Sequence, residues 1–453
     1  MSIHVVFYIF TNRAVRRIES LLPSCYFEGM TERVRTRIES MAFKGYGVSR
    51  IDGKVVFIPY TVPGDEAWVE RVEEKKNYSM GRLVEILVPS PWRVAPRCPY
   101  FGRCGGCQWQ HLDDSKQMDL KEEILRDILI RLGRLKEIPP IAVFPSPDPY
   151  NYRTRVQLKV GEEKLGYYQE RSHQLVDIER CPIAHPLVNE IIRLLRKELP
   201  LFSPLEEIEI NVSLEEEKGV LILNPLRPLQ GLETSMEGFL KLHPLLKGIA
   251  ILREKGTAFL GEPHLKITLP LNLTLHTSPG TFSQVNLKQN GKLVQKVLEF
   301  SGTKRDERAL DLYSGVGNFT LPLATIKKEV WGVEENRTAV KDARWNAQFN
   351  EIKNCKFIPG RAEEVLRNWK REKPDLIILD PPRMGCKRIL DQLTGLKPRR
   401  MVYVSCEPTT FARDLRFFSE KGYFPQELTL IDMFPQTYHM EVVGLLTQPQ
   451  VKV

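Results

Sequence analysis

No run of about eighteen or more apolar residues occurs in this 453-residue chain, so no membrane-spanning helix is expected. The opening His4-Val5-Val6-Phe7-Tyr8-Ile9-Phe10 stretch is too short for one and lacks a basic segment before it. Arg13, Arg16 and Arg17 stand where a small-residue cleavage site would follow, so it does not read as a signal peptide either. Cysteine is sparse, at eight residues, and without an export signal the expected compartment is reducing and cytoplasmic, which disfavours disulfides. The dinucleotide fingerprint is incomplete as well. Gly315-Val316-Gly317 is followed by Thr at 320 instead of a third glycine, which argues against NAD and for a cofactor without a pyrophosphate.

The length predicts two or three domains, and an apolar share of 42% is ample for their cores. A formal charge of +9 fits a polyanionic partner and equally fits solubility alone. Regular patterning starts only after Met30, so residues 1–29 are expected to be a poorly conforming extension from an upstream start.

From Val34 to about Val88, short alternating segments are broken by Asp52-Gly53 and Pro63-Gly64-Asp65, the pattern of a small β-barrel. This segment resembles the TRAM domain, an oligonucleotide-binding-like module of RNA-modifying enzymes. Lys44, Tyr46, Lys75, Lys76 and Arg82 are its candidate RNA contacts, with a solvated face as the plainer alternative. Next come Cys98, Cys104 and Cys107, with glycines between them that let a loop fold around one centre. Cys181 offers a fourth ligand. A [4Fe-4S] cluster, a zinc site and unrelated buried cysteines all stay open on spacing alone. A helix is predicted over Lys116–Leu132. Beyond it Arg153, Arg155, Gln157 and Lys159 fall on one strand face, either a phosphate grip or an ordinary solvated surface.

After Lys292 the periodicity switches to alternating strands (308–313, 329–334, 354–358, 375–380, 401–405) and helices (318–327, 336–350, 361–371, 386–396). This predicts a parallel doubly wound α/β sheet of the Rossmann-like class, with a terminal hairpin near 423–432 and 441–447 at its edge. Three strand ends carry chemistry. The Gly315 turn lets backbone amides approach a ligand, and Glu334 ends the next strand where a carboxylate can accept ribose hydroxyl protons. S-adenosylmethionine fits that pair best. Asp380-Pro381-Pro382-Arg383 and Ser405-Cys406-Glu407-Pro408 then set a carboxylate turn beside a thiol.

Together these motifs resemble the RNA uracil-5-methyltransferase family. The matching residues are Cys98, Cys104, Cys107 and Cys181, the run Ser278 to Asn286, Asp311 to Phe319, Asp380 to Arg383, Ser405 to Pro408 and His439-Met440-Glu441. The resemblance implies an extension at 1–30, a TRAM barrel at 31–90, a central α+β iron–sulfur domain at 91–280 and a class I methyltransferase domain at 281–453. It implies Cys406 as nucleophile and Glu441 as base, with Gln284, Tyr313, Gly315, Asn318, Glu334 and Asp380 around S-adenosylmethionine. It also implies the four cysteines as ligands of a [4Fe-4S] cluster, zinc being the runner-up. The expected partner is RNA, 23S rRNA ahead of tRNA, and the expected protein is a monomer off the membrane. The chain departs from the family at Gly360-Arg361-Ala362, because Arg361 cannot accept a hydrogen bond where an acidic or amide side chain commonly meets the adenine.

The expected chemistry follows from the weakness of uracil C5 as a nucleophile. A thiolate must add at C6 to give C5 enolate character, and a base must later remove the C5 proton so that the thiolate can leave. Cys386 is the rival thiol. Cytosine-5 methylation uses the same addition, but those enzymes generally carry a further cysteine where this chain has Pro382. A non-catalytic iron–sulfur RNA-binding protein is the reading from another class.

Overall fold

The computed structural model describes residues 33–448, apart from positions 162, 228, 229 and 255. The expected extension at 1–29 thus lies outside the described residues. Two compact units are formed. Of the described residues, one holds 33–124 with Gly166–Ile178 and Pro435–Tyr438, and the other holds Leu125–Leu165, Glu179–Phe434 and 439–448.

In the first unit a six-stranded sheet runs in the order Arg33–Arg37, Glu66–Glu74, Tyr78–Val88, Lys54–Pro59, Tyr46–Ile51, Ser40–Ala42. Alternation puts Val56, Ile58, Ala67 and Val69 inside, fully buried with Ile38 and Ile51. The buried Asp65 carboxylate accepts the Val62 and Ser90 amides at 2.7 and 2.9 Å and the Arg93 guanidinium at 3.0 Å, which fastens the Pro-rich linker to the sheet. Arg82 pairs with Glu70 and Lys75 with Glu73, so two of the candidate RNA contacts have acidic partners.

The second unit holds a sheet containing Arg155–Val160, Leu205–Ser213, Lys218–Pro225, Leu246–Leu252 and Thr257–Gly261 in that order. Its basic face is met by the acidic neighbouring strand. Arg155 and Gln157 both reach Glu209 at 2.8 Å, and Lys159 reaches Glu207 at 2.9 Å. Internal ion pairing therefore accounts for that face better than a phosphate grip does.

The larger sheet has eight strands, ordered Cys355–Pro359, Glu329–Glu334, Arg308–Leu312, Leu376–Leu379, Arg400–Ser405, Glu441–Thr447, Phe424–Ile431, Ile141–Phe144. The first five run parallel. Strand order reverses between Arg308–Leu312 and Leu376–Leu379, and ligands of such sheets bind at the carboxyl ends beside that reversal. The terminal hairpin forms as expected, but it is not the edge. Ile141–Phe144 pairs parallel to Phe424–Ile431 and takes the outer place, a contact too distant in sequence for local pattern to announce. The helices that follow the strands are shorter than their periodic patterns: Thr320–Ala324, Ala362–Arg367 and Leu390–Gly395, with Arg337–Phe349 and Pro408–Glu420 the long ones.

A second device positions the site. The strand Leu273–Thr277 pairs on one side with Leu265–Leu269, and its other edge is served by a helix. Asp342, Asn346 and Asn350 recur every fourth residue on Arg337–Phe349 and just beyond it, hence on one face. Asn350 and Asn346 accept the amides of Thr274 and His276 at 2.9 and 2.8 Å, and Asp342 accepts both the amide and the hydroxyl of Ser278 at 2.7 Å. The run from Ser278 to Asn286 is thereby delivered from a fixed start.

Candidate active site

The turn after Arg308–Leu312 is built around positive φ. Tyr313 stands at 66°, Gly315 at 53° and Gly317 at 99°. The Gly315 amide donates to Glu334 Oε2 at 3.0 Å, and Glu334 Oε1 accepts the Asn336 amide at 2.7 Å. Each oxygen keeps a lone pair free for a ligand, and the carboxylate is fixed in orientation. A Cβ built at Gly315 would meet nothing within 4 Å, so space lies open beside it. At Gly332 a Cβ would meet Phe357 at 2.7 Å and Ser314 Oγ at 2.9 Å, which is why that strand carries no side chain there.

Two buried polar atoms at this turn lack a protein partner, Ser314 Oγ and Asp311 Oδ1. Asp311 receives the Thr320 hydroxyl at 2.5 Å on its other oxygen. Burial pushes its carboxyl up to about 8, against the pull of that hydrogen bond. An open glycine cradle, an aimed carboxylate and unsatisfied polar atoms fit a nucleoside-bearing ligand such as S-adenosylmethionine. Asn318, expected to touch the cofactor, exchanges two hydrogen bonds with Asn290 at 2.9 and 3.0 Å, which leaves its amide a second N–H and a second lone pair. Gln284 is buried in the run from Ser278 to Asn286. Arg361 extends toward Glu335, at 3.4 Å and largely exposed, and so forms a surface ion pair.

Cys406 and Glu441 come together through strand register. Ser405 pairs with Val442 in the antiparallel ladder, so the residues one step further, Cys406 and Glu441, face each other at its end. Asp380 follows the adjacent parallel strand, its amide reaching the Leu312 carbonyl at 3.4 Å. Burial, then the Glu441 and Asp380 charges, pushes the Cys406 thiol up to about 12, while Arg383 pulls it down. Burial pushes Asp380 up to about 7 and lifts Glu441 well above the usual carboxylate range, the latter with help from the Asp380 charge. Closely set acids with raised proton affinity and a half-buried thiol make a site able to add a nucleophile and accept a proton.

Cys386 behaves differently. It is fully buried, its amide donates to Asp414 at 2.6 Å, and burial drives its thiol far upward. That is a packed structural thiol. The sequence reading did not single out Asp414, Thr410 or Arg413, which bind the 383–386 turn; they lie on one face of Pro408–Glu420, and only the packed loop gives that face a meaning.

Among the described residues no group of three or more His, Cys, Asp or Glu side chains is arranged to hold a metal ion. Cys98, Cys104, Cys107 and Cys181 are each partly buried. Cys104 Sγ accepts the Gly106 amide at 3.4 Å, a contact of the kind that favours a thiolate.

Residues 113–449 match the family described as tRNA (Uracil-5-)-methyltransferase, and residues 34–92 match the TRAM domain of tRNA (uracil(54)-C(5))-methyltransferase. The chain is 35% identical over 421 residues to an "Uncharacterized RNA methyltransferase" of Aquifex aeolicus, covering 91% of this chain and 98% of that relative. A relative from Caldanaerobacter subterraneus subsp. tengcongensis with the same description is 35% identical over 452 residues, covering 92% and 98%. Among solved structures, the Pyrococcus abyssi tRNA (uracil-54, C5)-methyltransferase in complex with S-adenosyl-L-homocysteine superimposes with a TM-score of 0.73 at 28% identity, covering 91% of this chain and 99% of that one.

Proposed function

The chain belongs to the RNA uracil-5-methyltransferase family with a TRAM domain, and from that premise we propose that Cys406 and Glu441 carry the methylation of a uridine in 23S rRNA at C5. The single observation that supports the mechanism is the rung Ser405–Val442, since Cys406 follows the carboxyl end of one strand and Glu441 begins the antiparallel strand paired with it. S-adenosylmethionine, when bound, supplies an electrophilic methyl group, and Glu334, Gly315, Tyr313, Asn318, Gln284 and Asp380 are the residues that would hold it.

The chain's own part has two stages. The Cys406 thiolate adds to C6 of the uracil, forming a carbon–sulfur bond and moving the ring electrons toward C5. After C5 is alkylated, the Glu441 carboxylate takes the C5 proton, the C6–S bond breaks and the double bond re-forms. A Glu441 with raised proton affinity is a stronger base for that step. C6 of a stacked base is shielded, so the uridine must be unpaired or extruded, and the TRAM domain is the candidate grip on the flanking RNA.

Two finer readings accompany this one. The name of the Pyrococcus abyssi relative favours a tRNA uridine as the alternative substrate. The cluster reading rests on the spacing of Cys98, Cys104, Cys107 and Cys181 and on the Gly106 contact to Cys104; it enters no step of the reaction. Incubating the protein with unmodified 23S rRNA and tRNA transcripts and methyl-labelled S-adenosylmethionine, followed by nucleoside analysis, tests the proposal. Labelled 5-methyluridine in the rRNA is expected. Label in tRNA alone would move the substrate, and labelled 5-methylcytidine would defeat the reading.

A further inference from the structure

The turn that follows Asp380 is fastened to the helix that follows Cys406. The Thr410 hydroxyl lies 3.0 Å from the Arg383 carbonyl and 3.1 Å from the Glu407 carbonyl, so one hydroxyl bridges Arg383 to the residue after the thiol. Arg413 donates to the Met384 carbonyl at 2.8 Å, and the Gly385 amide closes the turn on Pro382 at 2.9 Å.

Asp414 completes the fastening. Its side chain is wholly buried, yet Oδ2 accepts the Cys386 amide at 2.6 Å and the Tyr403 hydroxyl at 2.8 Å, while Oδ1 accepts two Arg413 nitrogens at 2.9 and 2.8 Å. Tyr403 belongs to the strand Arg400–Ser405 that ends just before Cys406. One carboxylate therefore joins the turn carrying Arg383 to both stalks of Cys406. So satisfied a buried group is rigid, and its neighbours are held with it.

The charges that bear on the Cys406 thiol are Glu441 from the antiparallel strand, Asp380 from the end of the parallel strand, and Arg383 from the turn that Thr410 ties to Glu407, the residue after the thiol. The two carboxyls oppose a thiolate, and the guanidinium favours it. Arg383 is solvent-exposed, so an unfastened turn would let it swing away into water.

We propose that Asp414, with Thr410, is a positioning residue that locks the 383–386 turn onto the Cys406 helix and so holds the Arg383 guanidinium beside the thiol as its activating cation. This rests on Cys406 being the nucleophile. Asp414 touches no reacting atom and acts only through Arg383.

Alkylation of Cys406 in the full-length protein, followed by peptide-resolved mass spectrometry, tests the proposal. Neutral iodoacetamide and anionic iodoacetate are compared at low and high salt. A fixed cation speeds the anionic reagent more than the neutral one, and salt removes the difference, whereas altered access slows both alike. Arg383→Gln and Asp414→Asn should each lower the iodoacetate-to-iodoacetamide ratio roughly three- to tenfold at low salt. Thr410→Ser should keep the parent ratio and Thr410→Val should lose it. A Asp414→Asn protein that melts earlier but keeps the ratio would make Asp414 merely structural and overturn the proposal, as would an unchanged ratio in Arg383→Gln. If Asp414→Asn does not fold, Thr410→Val decides in the same two ways. Full methylation by Cys406→Ser would instead defeat the assigned nucleophile, and the ratio in the other variants would still be readable.

Discussion

Ser405 and Val442 form the last rung of the ladder between two antiparallel strands, and that rung places Cys406 and Glu441 opposite each other where the ladder ends. The two residues are far apart in the chain. Their meeting depends on the hairpin Phe424–Ile431 and Glu441–Thr447 folding back so that its second strand lies inside the first. A one-residue slip in that pairing would turn Glu441 to the other face of the sheet.

Cys406→Ala should abolish methyl transfer, by about a thousandfold or more, while leaving S-adenosylmethionine affinity within a few-fold. Cys386→Ala should keep transfer within a few-fold and cost about 1–2 kcal/mol of stability, because its thiol is packed in the core. Single-turnover methylation, isothermal titration and chemical denaturation on the two proteins check this. The opposite pattern would exchange the roles of the thiols.

Glu441→Gln should trap the covalent step. Without a carboxylate to take the C5 proton, the methylated uracil stays bonded to Cys406, and a protein–RNA species resistant to denaturing gel electrophoresis should accumulate. Free turnover by that variant would show that another group removes the proton.

In the ligand-free protein the Cys406 thiol, pushed up to about 12, should react with iodoacetamide about tenfold faster for each pH unit between about 7 and 10. The sign follows from the thiol being protonated throughout that window. A plateau below about pH 9 would place its proton affinity much lower.

Asp311 gives a stability effect of definite sign. Its carboxyl is raised from 3.8 to about 8 on folding, so the folded state holds a proton that the unfolded state has lost. The contribution of this group is complete below 3.8 and falls away as pH rises through about 8. Asp311→Asn should therefore melt several degrees above the parent at about pH 9, with the gain shrinking toward about pH 4. Equal melting curves across that range would count against it.

The two glycines near the cofactor turn should separate binding from folding. Gly315→Ala faces open space and should cost only about 1 kcal/mol, yet weaken S-adenosylmethionine binding more than about tenfold. Gly332→Ala drives a methyl group into Phe357 and Ser314 and should cost about 1–3 kcal/mol. Thermal denaturation with titration calorimetry distinguishes the two.

Much of the larger sheet could be read from the chain. Each of its parallel strands is a short apolar run that ends in a polar or glycine-bearing turn, so the period change and the strand ends at Leu312, Glu334, Leu379 and Ser405 are visible locally. The place of Ile141–Phe144 was not, since four apolar residues carry no information about which distant edge they complete. Asn318 shows the same limit at the site: its position beside a glycine turn suggested a ligand contact, and its pairing with Asn290 in the helix Leu287–Ser301 could not be read locally.

The sequence by itself determined the family, the sheet class and the set of reactive groups, because turn glycines, strand-ending acids and thiols are local chemical choices. Tertiary structure alone decided which of these groups meet and in what protonation state. Register brings Cys406 to Glu441, packing buries Cys386 and lifts Asp311, and the acidic strand Leu205–Ser213 neutralises a basic face that alternation had left ambiguous. Contact and desolvation arise from the whole packed chain, so no window of residues contains them.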